Sequence, residues 1–188
     1  MTPTDHHEAG GGDLLEGEVH LTVDDAPGVV PQGFHVTHVQ LDARAQPTQT
    51  MLTGRVAAVG LAGLIAAAEA HARSVRGVRR VKIEVAPGAV PSSSGRYDEV
   101  HFKLRVEAAR EPTLRALAGE HGAHLSRSPS SEGARFVTLR ARPGCIRDAA
   151  ARIEQALRAS GFVVLRRRDE AVVYDSNLAL DGGWGAWD

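Results

Sequence analysis

The sequence EVHLTV at positions 18–23 has a close counterpart in EVHFKLRV at positions 99–106. In the second stretch Val100, Phe102, Leu104 and Val106 alternate with polar residues, the pattern of a strand with one buried face. Further segments recur in the same order, GFHVTHVQLD with GAHLSRS and TMLTGRV with RFVTLRAR. The spacing between matched segments ranges from 81 residues, between positions 18 and 99, to 89 residues, between positions 33 and 122. We therefore infer an internal duplication with insertions confined to loops.

The second copy predicts the element order β-α-β-β-α-β. Pro112 and Gly122 suit the two ends of a short helix, and a longer apolar-periodic helix ends near Gly161. The first copy has the corresponding longer helix, but DDAPGVVPQG at positions 24–33 carries prolines and glycines where the early helix would be. The predicted fold is α+β, a tandem duplication of ferredoxin-like (βαββαβ) units with antiparallel sheets, the first unit lacking its early helix.

Composition divides the chain into five segments. Residues 1–13 are predicted to be a disordered tail, 14–86 the first ferredoxin-like half, 87–96 a Pro/Gly/Ser-rich linker, and 97–175 the second half. Residues 176–188 form a Trp/Gly-rich C-terminal tail, whose Trp184 and Trp187 are expected to pack against the body of the protein.

Charge and composition exclude several classes of function. The net charge is −1, from 22 basic and 23 acidic residues, so no global field attracts nucleic acid or an anionic membrane. No apolar run approaches the ~20 residues of a membrane-spanning helix, and Cys145 is the only cysteine. Phe136 is the only aromatic residue expected on an open sheet face, which argues against binding of nucleic acid. We predict a cytoplasmic protein that needs no metal or cofactor.

The sheet face opposite the helices is predicted to be polar in both halves. Alternation places on it His20, Thr22, Met51, Thr53, Arg55, Lys82 and Glu84 in half one, and His101, Lys103, Arg105, Phe136, Thr138, Arg140 and Arg166 in half two. The two sheets could face each other across a cleft or join edge to edge into one wide sheet. Either arrangement would gather cations and histidines near a pseudo-twofold axis.

A second duplicated pattern is G-x-H-φ-[ST], at positions 33–37 and 122–126. One histidine of such a pair, His35 or His124, could accept a proton from an attacking hydroxyl while the other donates one to the leaving oxygen. The pattern resembles the two H-x-[ST] motifs of the two-histidine phosphoesterases, which act on cyclic phosphodiesters and RNA ends. That resemblance implies catalytic roles for His35 and His124, and phosphoryl contacts from Thr37 and Ser126. The following residue, usually apolar in that family, is His38 or Arg127 here, and Arg127 could itself contact phosphate.

Two other resemblances concern different parts of the chain. Positions 16–20, EGEVH, resemble the E-x-E-x-K strand of triphosphate tunnel enzymes, in which carboxylates hold a metal that binds phosphates, but His20 replaces the lysine and the repeat supplies only Glu99. The segments AHLSR, RFVTLR and VYDSNLALDGGW are similar to those of a group of uncharacterised bacterial proteins of comparable length. This second resemblance implies a shared fold and no particular activity.

Two hypotheses of function follow. In the first, the protein binds a small phosphate-bearing or other anionic ligand between the halves and could turn it over as a phosphoesterase-like hydrolase. Its catalytic residues would be His35 and His124, and its ligand-binding residues His20, Thr37, His101, Ser126 and Arg127. In the second, the chain is a non-enzymatic module for self-association, as a homodimer, or for binding a partner protein.

Overall fold

The computed structural model describes residues 12–41, 48–127 and 133–181. The first half contains β1 (Leu14–Val23), β2 (Phe34–Leu41), β3 (Thr48–Val59), α1 (Gly60–Arg73) and β4 (Val78–Val85). The second contains β5 (Tyr97–Arg105), α2 (Glu111–Glu120), β6 (His124–Arg127), β7 (Ala134–Ala141), α3 (Ile146–Ala159) and β8 (Val163–Asp175). Single 3-10 turns lie at Ser92–Ser94, Ala108–Arg110 and Leu178–Asp181.

This element order confirms the predicted duplication. The early helix is present in the second half, as α2, and residues 24–33 of the first half form no helix. Helix α2 ends in a Schellman motif, because Gly122 adopts a φ of 64° and the N–H of Ala123 donates to the carbonyl of Ala118 at 2.8 Å. This cap turns the chain directly into β6.

The eight strands form one closed antiparallel barrel in the order β1-β3-β2-β6-β7-β5-β8-β4. Each half contributes four consecutive strands in the ferredoxin-like order, β4-β1-β3-β2 and β8-β5-β7-β6. The halves join at both edges, where β2 pairs with β6 and β4 pairs with β8. The edge-to-edge joint that was one of the two predicted arrangements therefore occurs twice, so the result is a barrel and not a wide sheet.

The apolar core lies between the outside of the barrel and the helices. In half one, Val19, Leu21 and Ile83 pack with Leu64 of α1. Half two has the corresponding cluster, formed by Phe102, Leu104, Leu114, Ile153 and Leu157. Since side chains alternate along each strand, these outward apolar residues leave the intervening polar ones to face the barrel interior.

Residues 1–11 and 182–188 are outside the described ranges, so the predicted disorder of residues 1–13 and the packing of Trp184 and Trp187 stay predictions. The boundaries proposed for the halves and the linker also stay predictions. Among the helices of the described ranges, none is long and apolar enough to cross a membrane.

Candidate functional site in the barrel interior

The barrel encloses a cavity of about 430 Å³. All residues predicted for the two polar sheet faces line this cavity, with the exception of Arg55 and Arg105. The lining also includes Glu18, Glu99, Arg168, Glu170 and Gln49, together with the β2 side chains of Val39 and Leu41. All the acidic side chains of the lining and most of its cations therefore lie on β1, β4, β5 and β8. The opposite strands carry a mixture of apolar, hydroxyl and amide side chains, with His35, Arg127 and Arg140.

The charged wall is a pseudo-symmetric group of side chains that we call the ionic cluster. Its histidines make matching contacts in the two halves. The Nδ1 atom of His20 lies 3.0 Å from Thr53 Oγ1, and that of His101 lies 2.9 Å from Thr138 Oγ1. The Nε2 atom of His20 lies 3.0 Å from a carboxylate oxygen of Glu84, and the Nε2 atom of His101 lies 3.0 Å from one of Glu170. The ionic cluster consists of Glu18, His20, Lys82, Glu84, Glu99, His101, Arg168 and Glu170.

Two cations at equivalent positions join the halves. The ammonium of Lys82 lies 2.5 Å from Glu84 and 2.8 Å from Glu99. Arg168 precedes Glu170 by two residues, just as Lys82 precedes Glu84. The Nη2 atom of Arg168 lies 2.9 Å from a carboxylate oxygen of Glu18. Its Nε lies 2.5 Å from Glu170 Oε1, but this oxygen has no hydrogen bond of good geometry in the described structure. Each cation thus bridges a glutamate of its own half and one of the other half.

The ionic cluster alters the protonation of its members. Burial raises the pKa of Glu99, but Lys82 and Arg140 outweigh it and hold the pKa well below its usual range. Burial lowers the pKa of His101, but hydrogen bonds to Glu170 and Glu99 outweigh it and raise the pKa to about 9. Burial and the nearby Glu84 carboxylate raise the pKa of Glu170. His101 is therefore a cation at neutral pH, and Glu170 is the carboxyl group of the cluster that most readily takes up a proton.

The same side chains offer the donor atoms of a metal site. One ligand atom from each of Glu84, Glu99, His101 and Glu170 lies within 4.8 Å of the others, and Glu18, His20 and Glu84 form a second such group. However, Lys82 already sits between Glu84 and Glu99, and a bound divalent ion would have to displace or repel its ammonium. The donor set is self-neutralised and does not favour a resident metal.

Next to the ionic cluster on the same strands, each half has a row of paired residues that line the cavity, and the residue types of the two rows differ. In half two, Lys103 pairs in register with Arg166 and Phe136, and Phe136 pairs with Ser126. The equivalent residues of half one are Thr22, Arg80, Met51 and Thr37, with the same pairings. Paired residues of neighbouring antiparallel strands point to the same side, so each row faces the cavity.

The cations of these rows have different partners. Arg80 is buried and donates from Nε to Asp175 at 2.9 Å, and Tyr97 donates to the same carboxylate at 2.6 Å. Lys103 instead lies over the ring of Phe136, 5.7 Å from its centre. Within residues 12–41, 48–127 and 133–181, neither Lys103 nor Arg166 has an acidic partner. The half-two row therefore presents positive charge to the cavity, whereas the half-one row does not.

The structure places the predicted site residues in two sets. His20 and His101 belong to the ionic cluster, and His35, Thr37, Ser126 and Arg127 line the cavity without belonging to the cluster. His124 pairs in register with Thr138 and shares its face of the sheet, as His35 does with Thr53. Arg127 is held by Gln40 at 2.5 Å, across the β2–β6 joint.

The register of that joint determines how far apart His35 and His124 lie. Leu41 pairs with Ser126 in an antiparallel ladder. His35 is six positions from Leu41, and His124 is two positions from Ser126 in the opposite direction, which gives eight positions. At ~3.3 Å per residue, the two histidines are separated by about 26 Å along the strands. To act on a single phosphoryl group, the two imidazole rings would have to lie about 5–8 Å apart, so that each could form a hydrogen bond to one of its oxygens.

Several interior residues were not among the predicted site residues. Glu18 and Glu99 precede His20 and His101 by two positions, so the duplicated E-x-H spacing already places each pair on one strand face. Arg168 and Glu170 lie in the charged run RRRDE, which resembles a solvated surface in sequence. Gln49 carries no signal in sequence that would separate it from a surface glutamine.

No protein-family model matches the chain, and no curated protein matches it. Among solved structures, the small subunit of acetolactate synthase from Thermotoga maritima is similar over 85% of this chain and 95% of that one, with 14% sequence identity and a TM-score of 0.29. The fold assignment therefore depends on the strand order of the barrel itself.

Proposed function

We propose that the chain binds a small anionic ligand, phosphate-bearing or carboxylate, inside the barrel. The observation that carries this proposal is the pair Lys103 and Arg166, adjacent in register, lining the cavity and without an acidic partner among the described residues. Of the other cations that line the cavity, Lys82, Arg80, Arg140 and Arg168 each contact a carboxylate, and Arg127 donates to the side-chain oxygen of Gln40. An anion would give Lys103 and Arg166 the partners that they lack.

The side chains around this pair suit an oxyanion. Arg166 can offer a fork of N–H donors, Lys103 a point charge, and Ser126 a hydroxyl from the neighbouring part of the row. Arg166 is exposed and Lys103 half-buried, so the anion site lies where the cavity is open to solvent. A ligand can therefore enter without opening of the barrel.

The ionic cluster supports binding in a different way. Its four carboxylates are compensated by Lys82, Arg168, Arg140 and the protonated His101, so it has no excess positive charge with which to attract an anion. Its contacts between the halves hold β4 and β8 in place, and this rigid wall keeps the cavity pre-formed. We assign His20 and His101 to this wall and not to the anion site.

The proposal of ligand binding does not include hydrolysis of the ligand by His35 and His124. The two-histidine hydrolase hypothesis stays a prediction, and the separation of His35 and His124 along the β2–β6 joint gives it no support. A His35–His124 pair could act on one phosphorus only if the joint rearranged by several residues. The proposal is therefore for binding.

The test is a thermal-shift screen of the full chain against nucleotides, cyclic phosphates, sugar phosphates and dicarboxylates. A ligand at 100 times its Kd should add about 2.7 kcal/mol, or roughly 5–10 °C for a chain of this size. Lys103→Met and Arg166→Met should abolish the shift. The matched control is Arg152→Met, which removes an exposed cation from α3 on the outside of the barrel. A shift that survives both cavity variants would contradict the proposal.

The competing hypothesis, self-association, has one observation in its favour. The first half lacks the early helix, so no helix of the described ranges covers the outer face of β2, and Val36 there is 41% exposed. A second copy of the chain on this face would form a homodimer. Light scattering after size exclusion would detect it, and Val36→Glu would dissociate it; a monomer at every concentration would leave ligand binding as the better hypothesis.

A further inference from the structure

Gln49 is a buried side chain with an unpaired donor. It lies on β3, pairs in register with Val39 of β2, and lines the cavity. The residue is 7% exposed, and its Nε2 has no hydrogen-bond partner among the described residues. A buried amide N–H without a partner destabilises a fold, so such groups are rare, and a partner from outside the chain is one explanation for them.

The surroundings of Gln49 determine what that partner can be. Val39, Leu41 and Met51 are apolar, and Thr22 and Thr37 add only hydroxyls. Arg80 is held by Asp175 and Tyr97, and Arg127, across the β2–β6 joint, donates to the side-chain oxygen of Gln40. Both cations therefore have partners, and the amide donor that is left over at this end suits a neutral acceptor such as a carbonyl oxygen.

The two ends of the cavity lie on opposite walls. In the eight-stranded order, β3 with Gln49 and β5 with Lys103 are four strands apart, which is half of the circumference. Met51 and Phe136, at equivalent positions of the two halves, provide apolar surface between them. A ligand that reaches both ends would carry an anion, an apolar middle and a neutral acceptor.

We propose that the ligand of the barrel carries a neutral hydrogen-bond acceptor, of the carbonyl class, which binds the Gln49 amide at the half-one end of the cavity. This inference rests on the proposed anion site at Lys103 and Arg166, and it deepens that proposal by making the ligand asymmetric. The pseudo-symmetric barrel thus has one anion-binding end and one acceptor-binding end.

The experiment compares two probes by calorimetric titration of the full chain. Phenyl phosphate carries the anion and the ring, and 4-acetylphenyl phosphate adds a carbonyl. Wild type should bind the acetyl compound about 5- to 10-fold more tightly, the effect of one neutral hydrogen bond. Gln49→Met should lose this preference while keeping its affinity for phenyl phosphate, which also shows that the variant is folded. Lys103→Met should weaken both compounds.

The outcomes separate the two proposals. Equal affinities in wild type, or a preference that persists in Gln49→Met, would overturn the acceptor site while leaving the anion site intact. Binding of neither compound, or binding that Lys103→Met leaves unchanged, would overturn the anion site and the acceptor site with it.

Discussion

Removal of the Lys82 ammonium should destabilise the barrel more than removal of the equivalent guanidinium of Arg168. The Lys82 side chain is 12% exposed, and its partners Glu84 and Glu99 are 4% and 0% exposed. Lys82→Met keeps the apolar stem and leaves both carboxylates with less compensation. Breaking a buried ion pair costs about 3–5 kcal/mol. Since Glu99 keeps Arg140 and Glu84 keeps His20, we expect a loss near the lower end, about 3 kcal/mol.

Arg168→Met is the matched control, because Arg168 occupies the equivalent position of the other half. Its side chain is 37% exposed, so solvent screens its contacts and the loss should be about 1 kcal/mol. Urea denaturation of both variants, with the slopes compared to wild type, measures the two losses. Equal losses, or a Lys82→Met loss below about 1 kcal/mol, would refute the view that burial makes the two pseudo-symmetric cations unequal.

Three further predictions concern single side chains. Because the pKa of His101 is raised from 6.5 to about 9, its stabilising effect is complete below pH 6.5 and is lost as the pH rises through 9. The melting temperature of wild type should therefore fall more steeply than that of His101→Gln over this range, and parallel curves would contradict the assignment. Gln49→Met should raise the free energy of unfolding by about 1 kcal/mol in urea, since it removes an unpaired buried amide; a loss of stability would show that the amide is paired. In hydrolysis assays with 2′,3′-cyclic nucleotides, we expect no turnover that depends on both His35 and His124, and a loss of activity in both folded alanine variants would contradict the separation read from the β2–β6 register.

The element order was predictable because the sequence repeats it. Alternation in β5 and the helix-capping Gly122 each identify one element, and the duplication supports each assignment twice, except that of α2, which has no counterpart in the first half. The closure of the barrel was not predictable in the same way. The β2–β6 and β4–β8 joints are made by backbone hydrogen bonds, which carry no side-chain signature, so residue types could not distinguish a wide sheet from a barrel.

Part of the site was predictable because side chains alternate along a strand. Alternation identified His20, His101, Lys103 and Arg166 as residues of the polar faces, and all four line the cavity. Which cations are neutralised was not visible, because Arg80 meets Asp175 across a joint between the halves, 95 residues away in sequence. The contrast between Arg80 and Arg166, on which the proposed function depends, arises only when the barrel closes.

Occupation of the barrel by a ligand can be measured directly at Met51. The chain has two methionines, Met1 and Met51, and Met51 lines the cavity. Labelling the methionine methyl groups with carbon-13 gives two signals, which Met51→Leu assigns. On titration with the strongest anionic ligand of the thermal-shift screen, we expect the Met51 signal to shift with the same Kd as the stabilisation, and we expect Lys103→Met to weaken both together. A ligand that stabilises the protein while the Met51 signal stays unchanged would contradict binding inside the barrel.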